Sequence, residues 1–436
     1  MSSDTLFLYP SVLLLDFYSP YVLLCNGERE QKLRRQISDM EISTRAKNIS
    51  PSLTLAITAK AKAMKAQGLD VVSFGAGEPD FNTPDYIIES AKVALDKGMT
   101  KYTPVAGTLE LRQAICDKFA RDNGLEYTPD CIVVTNGGKQ SLRNAFEAII
   151  NDGDEVILPA PYWLTYPELI RMSGGVCVYL DTDASTDFKI TPEALSSAIT
   201  PKTKAFVLTN PSNPTGTVYT EAEIRALADV LLKHDIYVIS DEIYEKLVYG
   251  TPFFSIASIS EEMKERTIIC SGLSKTYSMT GWRMGYSASN PTVAKAMSSI
   301  QSHTTSNANS IAQYASTVAL SDARGEEFLS EMQKTFDARR KLIISLAQNL
   351  PHARANEPKG AFYIMVDVSG AFGKSVDGEI IKDASDFCRL LLEKSLVSVV
   401  DGTAFGAPKY IRLSYAISED DIKKGLKRIY EFLSAL

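Results

Sequence analysis

The chain has 436 residues, 45% of them apolar and 23% charged, with a formal net charge of −7. That length accommodates one large α/β domain and a smaller one, and the balance is that of a soluble globular protein. A net negative chain offers no general field for nucleic acid or an anionic membrane, so its basic residues are read as serving particular anions.

The N-terminal stretch LFLYPSVLLLDFYSPYVLLC is apolar but is broken by Pro10, Asp16 and Pro20, and no basic flank precedes it. It makes a poor membrane span, secretory signal or transit peptide. Residues 1–39 therefore read as an atypical extension, with Met40 an alternative start. The six cysteines (Cys25, Cys116, Cys131, Cys177, Cys270, Cys388) are scattered without a C-x-x-C pair. This argues against a disulfide framework or zinc ribbon and suits a reducing cytoplasm. His234, His303 and His352 show no metal-ligand spacing.

From about residue 85 the pattern alternates helix and strand. DYIIESAKVALDKG and TLELRQAICDKFARDNG carry apolar residues at helical spacing, with Gly98 and Gly124 as stops. CIVVTNGG is a strand entering a glycine turn, followed by the helix SLRNAFEAII and the strand EVILPAP. GVCVYL, KAFVLTNP, YVISDEIY and TIICSG repeat the strand signature, and EAEIRALADVLLKH is helical between two of them. Short buried strands separated by helices predict a parallel sheet covered on both faces. Beyond about residue 290 the texture becomes α+β. The helices EEFLSEMQKTFDARRKLIISLAQNL and DASDFCRLLLEKS flank the strand-like pieces AFYIMVDV, VSVVDG and YIRLSYA. In the first of these helices Arg339, Arg340 and Lys341 read as a solvated face.

Unusual residues follow the carboxyl ends of the predicted strands, where open parallel sheets bind ligands. After CIVVT, the Gly137-Gly138-Lys139 turn either binds phosphate at a helix start or is simply a tight turn. After EVILP, Trp163 offers a flat face for stacking or a core side chain. After KAFVLT, the turn Asn210–Gly216 either aims the Asn213 amide or is a plain loop. After YVIS, Asp241 either holds a protonated heterocyclic nitrogen, with Tyr244 on a neighbouring oxygen, or caps a helix. After TIICSG comes Lys275, with Arg283 eight residues on. Desolvation beside another cation lowers a lysine pKa and equips it to attack an aldehyde, while Arg283 can fork onto phosphate oxygens.

The segment GLSKTYSMTGWRMG, Gly272 to Gly285, resembles the pyridoxal-phosphate attachment signature of class I aminotransferases. With NPTG at 213–216, DEIY at 241–244, PYW at 161–163 and RLSYA at 412–416, the similarity covers about residues 40–436. The chain is similar to the bacterial and plastid branch of aspartate aminotransferases, which includes prephenate aminotransferases. The resemblance implies the α/β fold type I of pyridoxal-phosphate-dependent transferases: a mostly parallel seven-stranded sheet sandwiched by helices, with a smaller α+β domain. Residues 40–85 would form an N-terminal arm and part of the small domain, 86–325 the large domain and 326–436 the rest of the small one.

The same resemblance implies a cytoplasmic homodimer with shared active sites. It would transfer an amino group from aspartate to 2-oxoglutarate by a ping-pong aldimine/ketimine mechanism. Prephenate transamination is the alternative, and a carbon–sulfur lyase is a more distant one. Lys275 matches the Schiff-base lysine and proton shuttle, and Asp241 the partner of the pyridine nitrogen. Asn213 and Tyr244 match the partners of the ring oxygen, and Trp163 the stacking residue. Gly137, Gly138 and Arg283 match the phosphate cradle, completed by Tyr102 from the partner subunit. Arg412 matches the α-carboxylate clamp, and Gly77 in FGAGEPDF a backbone contact to the same group. SSIQSHTTSNANS carries no arginine for a second carboxylate, which falls instead to Lys139 and Thr54.

Overall fold

The computed structural model describes residues 41–47, 49 and 53–436; the expected extension 1–39 lies outside them. The chain divides into two compact units, Met1–Ser50 and Pro51–Leu436. Of the first, the described residues include one helical turn, Thr44–Lys47. The account below concerns the second.

Its strands in chain order are β1 (Val72–Ser73), β2 (Ile132–Asn136), β3 (Glu155–Ala160), β4 (Val176–Asp181), β5 (Thr203–Thr209), β6 (Tyr237–Asp241), β7 (Thr267–Gly272) and β8 (Met284–Ala288). There follow β9 (Arg354–Ala355), β10 (Tyr363–Asp367), β11 (Ser375–Val376), β12 (Glu379–Ile380), β13 (Val397–Ser398), β14 (Val400–Asp401) and β15 (Tyr410–Ser414). Seven strands form the main sheet in the order β2-β8-β7-β6-β5-β3-β4. All neighbours are parallel except β8, which runs antiparallel to both β2 and β7.

Alternation along each strand splits the core between the two faces. Ile132 and Val134 pack on one side with the helices Asp85–Asp96, Leu109–Asn123 and Ser310–Ser321. Val133, Val207 and Ile239 pack on the other with Gly138–Ile149, Thr165–Met172 and Pro291–Thr304. The expected seven strands are present, and one expectation is corrected. The seventh strand, MGYSA, overlaps the end of the lysine signature at Met284 and Gly285 and is not among the runs read as strands from the sequence. β4 is not buried on both faces: as an edge strand it leaves Val176 50% and Tyr179 44% exposed.

A second sheet, β14-β15-β10-β9, is antiparallel. It is covered by the helices Arg324–Ala347, Ala384–Ser395 and Glu419–Ser434, which meet in a core including Phe336, Ile364, Phe387, Leu413 and Ile429. β1 pairs with β13 against this layer. The expected solvated face of the long helix holds only for Lys341. Arg339 donates to Asp80 at 2.7 Å, and Arg340 reaches Asp337 and the Pro358 carbonyl, so both are largely covered. Among the described residues no helix is long and apolar enough to cross a membrane, and no cluster of metal-ligating side chains occurs. The five described cysteines are unpaired and four are buried; burial holds the Cys270 and Cys388 thiols well above the usual range.

The ends of β2 and β8 touch backbone to backbone. A Cβ on Gly285 would lie 2.3 Å from the Gly137 carbonyl carbon. We expect Gly285→Ala to force the two strands apart and lower stability by about 1–3 kcal/mol. Urea denaturation would show this as a lower midpoint with an unchanged slope.

Candidate active site

Because β2 runs in the direction of the parallel strands and β8 opposes them, one edge of the sheet collects the carboxyl ends of β2, β3, β5, β6 and β7 and the start of β8. Every strand-end motif named above lies along that edge. Lys275 follows β7 on a short helical turn, Leu273–Thr276. Its ammonium donates to the Gly77 carbonyl at 2.5 Å. Burial pulls its pKa down to about 8, with Arg283 and Arg412 adding to the depression and Glu78 and Asp241 opposing it. A lysine so poised keeps an appreciable free-amine fraction near neutral pH.

Asp241 closes β6 and is 6% exposed. It caps no helix, since a turn follows the strand. One carboxylate oxygen accepts from the Tyr166 hydroxyl at 2.6 Å and the other from the Ile243 N–H at 3.3 Å. Tyr166 in turn accepts from Thr209 Oγ1 at 2.8 Å. Burial raises the carboxyl pKa, against these hydrogen bonds and the Lys275 charge. Among the described residues no basic side chain forms an ion pair with it. The adjacent acid behaves differently: Glu242 accepts from Ser240 and Ser255, and burial pushes its pKa up to about 7.

The Gly137 turn stands beside Arg283. Gly137 has φ 84°, and a Cβ there would fall 2.4 Å from the Arg283 guanidinium. Arg283 itself adopts φ 56°, uncommon for a side-chain-bearing residue. It donates to the Thr280 carbonyl at 2.9 Å and lies near the Asn136 carbonyl. Backbone N–H groups at the start of Gly138–Ile149 and an arginine fork thus flank one small space. This is the arrangement that binds a phosphate. Trp163 is half-buried, edge-on to Tyr166 at 5.5 Å, with the Lys139 ammonium 5.0 Å from its ring centroid. Partial burial, then the Arg283 charge, lower the Lys139 pKa.

Arg412 on β15 faces this edge from the second sheet. It is 4% exposed, donates from Nη1 to Asn213 Oδ1 at 2.9 Å, and lies over the rings of Tyr363 and Phe405. Its Nε is buried without a hydrogen-bond partner, and among the described residues it has no carboxylate partner. A solvated strand arginine would have neither property. A buried guanidinium left unpaired is costly unless an anion completes it.

The structure therefore brings together Lys275, Asp241, Tyr244, Asn213, Trp163, Gly137, Gly138, Lys139, Arg283, Arg412 and Gly77. Tyr102 stands apart, 89% exposed, on a loop held by Gln313 to Thr103 Oγ1 and by Gln301 to the Val105 carbonyl. Thr54 lies in the helix Leu53–Ala66, its side chain outside the described residues. Sequence reasoning did not select Tyr166, Glu78 or Tyr363. The only signal for Tyr166 was its place three residues after Trp163; Glu78 had none beyond lying in FGAGEPDF, and Tyr363 none beyond lying in the strand AFYIMVDV.

Residues 69–429 match the profile of the family described as aminotransferase class I and II. The chain belongs to the class I and II aminotransferases. It is 47% identical over 393 residues to an aspartate aminotransferase of a Bacillus species, covering 90% of this chain and 99% of that protein. It is also 47% identical over 391 residues to the aspartate/prephenate aminotransferase of Cereibacter sphaeroides, covering 89% and 97%. The solved aspartate aminotransferase from Thermus thermophilus with maleate superposes at a TM-score of 0.86, with 42% identity, over 90% of this chain and all of that one. The fold is thus that of solved aspartate aminotransferases.

In this aminotransferase, stripped of small molecules, Lys275 should titrate near pH 8. Glu78→Gln should move that midpoint down, because a stabilising negative charge is lost; Arg283→Met should move it up. Pulse acetylation at a series of pH values, read by peptide mass spectrometry, would measure all three.

Proposed function

We propose that this aminotransferase uses pyridoxal 5′-phosphate to exchange an amino group between L-aspartate and 2-oxoglutarate, working as a cytoplasmic homodimer. The observation that carries the reading is Arg412, a buried guanidinium that among the described residues has an orphaned Nε and no carboxylate partner. A substrate α-carboxylate supplies what it lacks. The cofactor fits the same edge of the sheet for parallel reasons. Asp241 is a buried carboxylate without an ion-pair partner among the described residues, suited to a protonated ring nitrogen. The Gly137 turn with Arg283 suits a phosphate, to which Tyr102 of the partner subunit would add its hydroxyl. Asn213 and Tyr244 would hold the ring oxygen, and Trp163 would cover the ring face.

Bound in that way, the cofactor supplies an electron sink for the charge left at the substrate α-carbon. The protein residues do the rest. Asp241 keeps the ring nitrogen protonated, and Tyr166 keeps Asp241 aimed at it. Arg412, oriented by Asn213 Oδ1, fixes the α-carboxylate together with the Gly77 backbone. Lys275 Nζ would take the substrate α-proton and hold it for return on the same face, a task matched to an amine whose pKa lies near 8. Lys139, at the rim against Trp163, and Thr54 would receive the second carboxylate.

A single ammonium constrains geometry less than an arginine fork. That supports prephenate as a second acceptor, in keeping with the name of the Cereibacter sphaeroides relative.

Aspartate should convert the loaded enzyme to its amine-bearing form without release of ammonia or pyruvate, and 2-oxoglutarate should restore it; release of either product would favour a lyase. Arg412→Leu should lower kcat/KM by on the order of 100-fold or more, about 3 kcal/mol or above, for every amino acid substrate. Lys139→Ala should raise KM for aspartate and glutamate but leave a monocarboxylic amino acid nearly unaffected. Steady-state kinetics over that substrate series tests both, and unchanged aspartate turnover in Lys139→Ala would refute the role of Lys139.

A further inference from the structure

Tyr363 lies outside the motifs that assign the site, yet its hydroxyl meets the Tyr244 hydroxyl at 2.9 Å. Among the described residues that is the one hydrogen bond the Tyr244 hydroxyl makes. The Tyr363 ring is 1% exposed and lies under the Arg412 guanidinium, 4.3 Å from its centroid. Its oxygen would be 3.7 Å from a Cβ placed on Gly77. Strand register accounts for the placement. β10 and β15 pair with Tyr363 opposite Ser414 and Met365 opposite Arg412, so Tyr363 and Arg412 are diagonal neighbours on one face. Packed between Arg412 and Gly77, the phenol is held against Tyr244.

Two hydroxyls share one hydrogen bond, and only one of them donates in it. If Tyr244 is to give its proton to the ring oxygen of the cofactor, it must accept from Tyr363. We propose that Tyr363 is a positioning residue for Tyr244: its O–H donates to the Tyr244 oxygen, fixing which way the Tyr244 proton points and strengthening it as a donor. Hydrogen bonds in a chain polarise one another, by roughly 10–30% per bond. The inference rests on the reading of Tyr244 and of the cofactor given above.

The test is a pH titration of the visible absorbance of the holoenzyme, in which the cofactor is joined to Lys275. Donors at the ring oxygen stabilise its negative charge, so removing one leaves that oxygen more basic. The adjacent nitrogen then keeps its proton to higher pH. The charged groups acting on the tyrosine pair are Arg412 on β15, Asp241 on β6 and Glu78 in the loop after β1, and all are retained in the variants. Tyr244→Phe should raise the midpoint. Tyr363→Phe should raise it in the same direction, by roughly a third of that shift or less. The double variant should match Tyr244→Phe alone, because Tyr363 acts through Tyr244. A Tyr363→Phe midpoint equal to wild type while Tyr244→Phe shifts would overturn the proposal, as would a double variant in which the two shifts add. A Tyr244→Phe midpoint that does not move would instead refute the placement of Tyr244 on which the proposal stands.

Discussion

A partly buried ammonium group acted on by the charges of two arginines is a liability that the surrounding structure must offset, and Lys275 is that group. Burial and the charges of Arg283 and Arg412 disfavour its protonated form, and the charges of Glu78 and Asp241 oppose them, while the Gly77 carbonyl accepts a hydrogen bond from it. These partners come from four separate parts of the chain. Arg283 precedes β8, Arg412 lies on β15, Asp241 ends β6, and Gly77 and Glu78 follow β1. The lysine is therefore poised only when both sheets and the loop after β1 are in place. Activation is a property of the assembled fold rather than of the lysine signature.

The same logic applies to the two other unbalanced groups. Among the described residues Asp241 is a buried acid without an ion-pair partner, and Arg412 a buried base without one. Packing them against one another would have satisfied both. The fold instead holds them on separate sheets facing one space, each braced by a neutral partner, Tyr166 for the acid and Asn213 for the base. That separation leaves opposite charges available for a ligand that is cationic at one end and anionic at the other.

Much of this was legible in the sequence because strand ends announce themselves. β-branched runs such as CIVVT and YVIS stop abruptly at glycines, acids and asparagines, and the parallel-sheet rule places those stops along one edge. β8 was hidden because MGYSA is short and follows the turn SMTGWR without clear alternation. Tyr166, Glu78 and Tyr363 act through hydrogen bonds and fields between segments far apart in the chain, which no local spacing encodes. Arg339 and Arg340 misled for the same reason: their partners, Asp80 and the Pro358 carbonyl, come from other segments. Tyr102 was chosen by resemblance alone, and its exposed position gives it no partner within this chain among the described residues.

The central claim is that the convergence at this sheet edge makes Lys275 the one lysine that bonds covalently to an aldehyde cofactor. Borohydride reduction of the holoenzyme, followed by peptide mass spectrometry, measures it most directly. The account predicts a single pyridoxyl-phosphate adduct on the peptide carrying Lys275, absent in Lys275→Ala. An adduct on another lysine, or an absorbance band that borohydride leaves unchanged, would contradict it.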